Sequence, residues 1–228
     1  GLPVWLSAII TILAGAFLGS LSGISVTILG IPDFIATLSL GFLISGFNQS
    51  YTKGHPISGL PEGFKIFGAK FIGRIPTSLF FMVAFVAIIY ILLNYTRFGR
   101  YIYAIGGNEE AAIMSGVDVN KNIIKAYIIS GIGAGLASLI LASKLGTAHP
   151  TAGDSYLMEA LATVYVGGTV FKSGEPNIAG TFVGALIIGI LSNGLTLCNV
   201  QYYNQNIAKG LVIFLAVTIT SIQKKRKK

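Results

Sequence analysis

Long uncharged runs alternate with short polar gaps along this chain. Gly1 to Pro32, Phe34 to Thr52, Ile75 to Thr96, Ala126 to Ser143 and Pro176 to Ala208 contain no Asp, Glu, Lys or Arg, and a further apolar tract follows Lys209. A helix needs roughly 20 apolar residues to cross a bilayer core, so each run reaches or approaches spanning length. Leu79 to Leu93 (LFFMVAFVAIIYILL) is apolar on every face, whereas a membrane barrel strand would alternate. Lipid admits only helices or closed barrels as spanning structures. The pattern predicts an all-α fold, a polytopic transmembrane helical bundle forming a single membrane-spanning domain over residues 1–228.

The predicted segments are 4–29, 34–51, 77–96, 122–143, 156–171, 178–197 and 205–222, joined by a polar loop at 52–76 and a polar segment at 97–121. Segment 156–171 would cover only about 24 Å as a helix. It is either a broken or steeply placed helix lining the translocation path, or a thin ordinary span. Gly15, Gly19 and Gly23 in the first segment, and Gly180, Gly184, Ala185 and Gly189 in the sixth, predict small-residue faces buried against other helices. GAFLGSL (15–21) also echoes GTFVGAL (180–186) with four identities. Because these helices would cross in opposite directions, the echo predicts an inverted repeat.

Composition sharpens the class: 53% of residues are hydrophobic and 11% charged, against about 25% charged in a soluble domain. An ordinary soluble globule is excluded. The net charge is +8, and basic residues are retained on the cytoplasmic side. Placing the C-terminal KKRKK (224–228) inside groups it with Arg97, Arg100, Lys121, Lys125 and Lys172, ten cations against five outside: Lys53, Lys65, Lys70, Arg74 and Lys144. The same parity puts Gly1 outside, which predicts further spans upstream. The basic tail reads as a topology anchor on the lipid bilayer, and no basic soluble domain offers itself to nucleic acid.

Candidate chemistry is sparse. Cys198 has no internal disulfide partner, and His55 and His149 stand apart from other metal-binding residues, so no metal site is expected. GTVFKSG (168–174) has Phe171 where a phosphate loop needs glycine before the lysine. No cofactor is expected on this chain, which is not itself an enzyme; any ATP-driven step belongs to a partner. Asp33 is expected to cap the helix that follows it, Glu159 to do the same, and Lys209 to snorkel to the outer interface. Tyr202, Tyr203, Asn204 and Gln205 read as an outer belt. Asn48, Gln49, Ser192 and Asn193, with Glu159 on the short segment, are candidate pathway residues for a neutral, hydroxyl-rich solute; the amides could instead bond between helices.

The most informative stretch is Gly106 to Asn120 (GGNEEAAIMSGVDVN). It predicts a short helix outside the membrane, with Asn108 as cap, Glu109 and Glu110 in the first turn and Gly116 at the end. Ala111 and Ala112 make it thin, while Ile113, Met114 and Val117 give it apolar edges. Such a helix either docks into a groove on another protein or folds back on its own bundle.

Five stretches together resemble the integral membrane permease subunits of bacterial ABC importers for ribose and related monosaccharides. They are LGIPDFIATLSLGFLISG (29–46), GRYIYAIGGNEEAAIMSGV (99–117), PTAGDSYLMEALATVYVGGTVFKSGEPNIAGT (150–181), GALIIGILSNGLTL (184–197) and YYNQNIAKGLVIFLAV (202–217). The resemblance implies that 108–116 is a cytoplasmic coupling helix carrying the Glu-Ala-Ala element as Glu110, Ala111 and Ala112. It further implies a multi-pass protein of the bacterial plasma membrane, a second permease copy as homodimer or heterodimer, two cytoplasmic ATP-binding cassette subunits and an extracytoplasmic sugar-binding protein. Glu159 stands where the family often has Asp, and Lys172, Ser173 and Pro176 lie in a loop usually richer in glycine. Import of autoinducer-2, nucleosides or branched-chain amino acids is open within the superfamily. An ion-coupled carrier would need paired ionisable residues at midmembrane, and a non-transporting scaffold would tolerate loss of Asn48 and Asn193.

Overall fold

The structure is a computed structural model that describes residues 3–170 and 177–226. The chain forms two compact units, Gly1–Thr151 and Ala152–Lys228. In the first unit, α1 (Val4–Thr27), α2 (Asp33–Thr52), α3 (Thr77–Tyr95), α4 (Arg97–Gly107), α5 (Glu109–Met114) and α6 (Val119–Leu145) follow one another. Strands β1 (Ile57–Ser58), β2 (Phe71–Ile72), β3 (Ile75–Pro76) and β4 (Thr147–Ala148) lie in its loops. The second unit holds α7 (Tyr156–Val170), α8 (Ile178–Leu197) and α9 (Tyr202–Arg226).

Helices α1, α3, α6 and α8 are long and apolar enough to cross a membrane. Helix α2 is as long as α8, but its last turns carry Asn48, Gln49, Ser50 and Thr52. Helix α7 has 15 residues and is unbroken, so the interrupted form of this segment is not adopted.

The first unit is built on an antiparallel α1–α6 pair whose backbones touch. A Cβ added at Gly15 would collide with the Gly131 carbonyl, one at Gly131 with the Gly15 carbonyl, and one at Gly19 with the Tyr127 carbonyl. Glycine removes the side-chain layer that normally separates two helix axes, and in lipid such contact replaces the missing hydrophobic drive. The second unit repeats the device: Gly180 lies against Gly167, and Gly184 against the Thr163 carbonyl. On α8 the buried row is Gly180, Gly184 and Ile188, whereas Ala185 and Gly189 are exposed. The expected small-residue face is therefore rotated: positions spaced by four share a stripe, and Ala185 and Gly189 fall on the next one.

The loop at 52–76 is folded and anchored. Phe64 and Phe67, on the 3-10 turn Glu62–Phe67, are buried with Ala8 of α1 and Leu139 of α6. The Phe67 ring meets those of Trp5, Phe64 and Phe81 at centroid distances of 6.1, 5.4 and 5.9 Å. Buried Ser143 of α6 donates to the Phe64 carbonyl at 2.9 Å and accepts from the Ala69 amide at 3.2 Å. Strand β1 pairs antiparallel with β4, tying this loop to the one after α6. Strands β2 and β3 form a hairpin closed by Gly73-Arg74, with Gly73 at φ +65°; the first position of such a tight turn calls for glycine. Both loops thus occupy one end of the unit, and α4 and α5 occupy the other.

Two helix starts differ from expectation. Asp33 is the first residue of α2, the cap position belongs to Pro32, and no side chain caps the helix. Residues 97–107, read as part of a polar connection, form helix α4, capped by Thr96.

Candidate functional site

The end of the first unit opposite the strands carries α5. The Asn108 side-chain oxygen accepts from the Ala111 amide at 3.0 Å, satisfying a first-turn donor that has no partner within the helix. At the other end, Gly116 adopts φ +78°. Its amide donates to the Ile113 carbonyl at 2.9 Å, and the Val117 amide to the Ala112 carbonyl at 3.1 Å. These two bonds form a complete Schellman stop, so a six-residue helix, far below the length that is stable alone, is fixed at both ends.

Packing gives this helix two sides. Ala112 is buried, whereas Ile113 is 55% and Met114 89% exposed. Asn108, Glu109, Glu110 and Ala111 are also exposed. One small residue seats the helix on its own unit, and an apolar and acidic surface remains outward. Asp118 then caps α6 by accepting from the Lys121 amide at 3.1 Å, and its carboxylate pairs with the Lys121 ammonium at 2.7 Å. The hydrogen bond from the Lys121 side chain, followed by that from its amide, holds the Asp118 carboxyl below its usual pKa. The turn between α5 and α6 therefore keeps its charged cap to a lower pH than an unpaired aspartate would.

The candidate pathway residues fall into separate settings. On α2, Asn48 and Gln49 are exposed, and the Gln49 amide donates to the Ser45 hydroxyl at 3.1 Å. On α8, Asn193 is exposed, and the Ser192 hydroxyl oxygen is buried with no hydrogen-bond partner among the described residues. Glu159, in the first turn of α7, is ion-paired with Lys209 of α9. Lys209, expected at the outer interface, thus has a carboxylate partner on a neighbouring helix of the same unit. Residues 171–174 of the phosphate-loop-like stretch, Lys172 and Ser173 among them, lie outside the described residues, as do Pro176 and Lys227 and Lys228 of the tail.

Sequence reasoning missed a cleft of about 280 Å³ lined by residues of α1, α2 and α6, among them Ser22, Thr37, Tyr127 and Ser130. The signal was available as hydroxyl residues on otherwise apolar helices, but only the fold brings them to one opening.

Residues 1–217 match the family described as branched-chain amino acid transport system / permease component. The chain belongs to that family. It is 42% identical over 220 residues to the ribose import permease protein RbsC of Haemophilus influenzae, covering 95% of this chain and 68% of the relative. It is 44% identical over 210 residues to RbsC of Escherichia coli K12, covering 90% and 65%. The galactose/methyl galactoside import permease protein MglC of Escherichia coli K12 is 35% identical over 234 residues, covering 100% and 70%. The chain thus spans about two thirds of the length of these curated relatives. No solved structure matches it. A polytopic helical membrane protein of the permease class is what these helices and this family establish together.

Proposed function

We propose that this chain is part of the permease subunit of an ATP-driven importer that moves a ribose-like monosaccharide across the bacterial plasma membrane. Identity of 42–44% to ribose permeases, against 35–36% to galactoside permeases, supports a pentose over a hexose. ATP hydrolysis takes place on separate cytoplasmic ATP-binding cassette subunits. A second permease copy completes the conduit, and an extracytoplasmic sugar-binding protein delivers the solute. The C-terminus is cytoplasmic, so α5 faces the ATPase.

The observation that carries this reading is α5 itself: capped at both ends, seated through Ala112, and presenting Ile113, Met114, Glu109 and Glu110 outward. A rigid short helix transmits a push, where a frayed one would absorb it. Closure of the ATPase dimer displaces α5, and α4 and α6 on either side carry that displacement to the bundle. Asn48, Gln49, Ser192 and Asn193 offer hydrogen-bond partners to the sugar along its path, with Glu159 held neutralised by Lys209.

Replacing Glu109→Lys and Glu110→Lys together is expected to lower sugar uptake at least tenfold and to reduce co-purification of the ATP-binding subunit. Uptake and association both at the level of the unaltered protein would refute the docking role.

A further inference from the structure

Helix α4 leaves the α3 span abruptly. Thr96, at φ −105° and ψ 164°, is the single non-helical residue between them, and its hydroxyl caps α4 by accepting from the Gly99 amide at 3.4 Å. A Cβ on Gly99 would collide with the Leu93 backbone, so the chain turns sharply at Thr96 and α4 does not extend α3. Apolar α3 ends at Tyr95, and the first turn of α4 therefore lies where hydrocarbon gives way to headgroups.

At 100° per residue, Phe98, Ile102 and Ile105 share one face of α4, and all three are half-buried. Arg97 and Arg100 project from the opposite side and are exposed. Tyr101 and Tyr103 flank them, 39% and 46% exposed. The ion pairs among the described residues are Lys65 with Glu62, Lys121 with Asp118 and Lys209 with Glu159. Neither arginine has a carboxylate partner among them.

We propose that the exposed face of α4 binds anionic phospholipid, Arg97 and Arg100 engaging the phosphate and Tyr101 and Tyr103 resting at headgroup level. Guanidinium forks match phosphate geometry, tyrosines favour the interface, and the continuity of α4 with an apolar span sets its depth. The inference goes beyond the transport reading and does not depend on it: the lipid occupies this face whether or not α5 meets an ATPase. It adds a consequence, because α4 leads directly into the Asn108 cap, and a lipid-held α4 gives α5 a fixed base.

The test uses the full chain purified in detergent, titrated with phosphatidylglycerol and separately with phosphatidylcholine, with retained lipid counted by native mass spectrometry. A cation near a membrane surface contributes about a fivefold factor. Arg97→Gln with Arg100→Gln is therefore expected to weaken phosphatidylglycerol retention roughly thirtyfold and to leave phosphatidylcholine unchanged. Arg97→Lys with Arg100→Lys keeps the charge and should retain phosphatidylglycerol to within about fivefold, which separates charge loss from misfolding. Lys53→Gln with Lys70→Gln, at the opposite end of the unit, should cost less than the arginine pair. Equal phosphatidylglycerol retention by the Gln pair and the unaltered chain would overturn the proposal. So would loss of ATP-binding-subunit association by the Gln pair with lipid retention intact, which would assign the face to a protein partner.

Discussion

Lys209 and Glu159 illustrate what one ion pair does at partial burial. Their side chains are 19% and 28% exposed and join α9 to α7, so each charge is partly desolvated and each is compensated by the other. Removing one partner leaves the second as an uncompensated charge. Lys209→Met and Glu159→Gln made together are expected to lower thermal stability in detergent by less than the sum of the two single substitutions, with a coupling of about 1–3 kcal/mol. A double-mutant cycle measures it, and additive effects would show that the two side chains do not interact. The residues themselves were visible in the sequence as charges near membrane depth, but their pairing was not, because they are far apart in the chain and only the packing of α7 with α9 brings them together. Ser143 is the same lesson in a neutral form. Nothing in the sequence marks it apart from other helical serines, yet it holds both Phe64 and Ala69 of a distant loop.

At the scale of elements, the long apolar helices were legible because lipid allows one solution for an uncharged run, and because Asn108, Glu109, Glu110 and Gly116 are strong local helix punctuation. The glycine rows were legible as faces but not as directions. Gly15 and Gly19 are expected to meet a helix, but the sequence does not say which one; Gly131, Gly135 and Gly167 supply the other half of these contacts. Helix α4 is not legible in the sequence, because Arg97, Arg100 and Asn108 mark the stretch as polar and mask the spacing of Phe98, Ile102 and Ile105. The glycine contacts predict asymmetry between sites: Gly15→Val should strongly destabilise the α1–α6 pair, because its Cβ would strike the Gly131 backbone, whereas Gly41→Val adds a side chain where nothing lies within 4 Å. Thermal aggregation of the two variants in detergent checks this. Equal losses would mean that helix propensity rather than close packing dominates.

For the whole molecule, the strands give relative topology that charge counting cannot. Strand β1 pairs with β4, so the loops after α2 and α6 lie on one side, and α4 and α5 lie at the other end of the same unit. A single cysteine placed at Arg74 should therefore be labelled by an impermeant maleimide from the side opposite to one placed at Met114, in a background of Cys198→Ser. In the proposed orientation, with α5 cytoplasmic, Arg74 reacts in intact spheroplasts and Met114 only after permeabilisation. Labelling of both from the same side would refute their placement at opposite ends of the unit.

The pairing of Ile57–Ser58 with Thr147–Ala148 also acts as a yoke. It ties the segment after α2 to the one after α6, so that a displacement of one strand is passed to the other while the short ladder holds. Two residues on each side make a fastening that is easily undone, and a visitor touching either loop would thereby act on both at once.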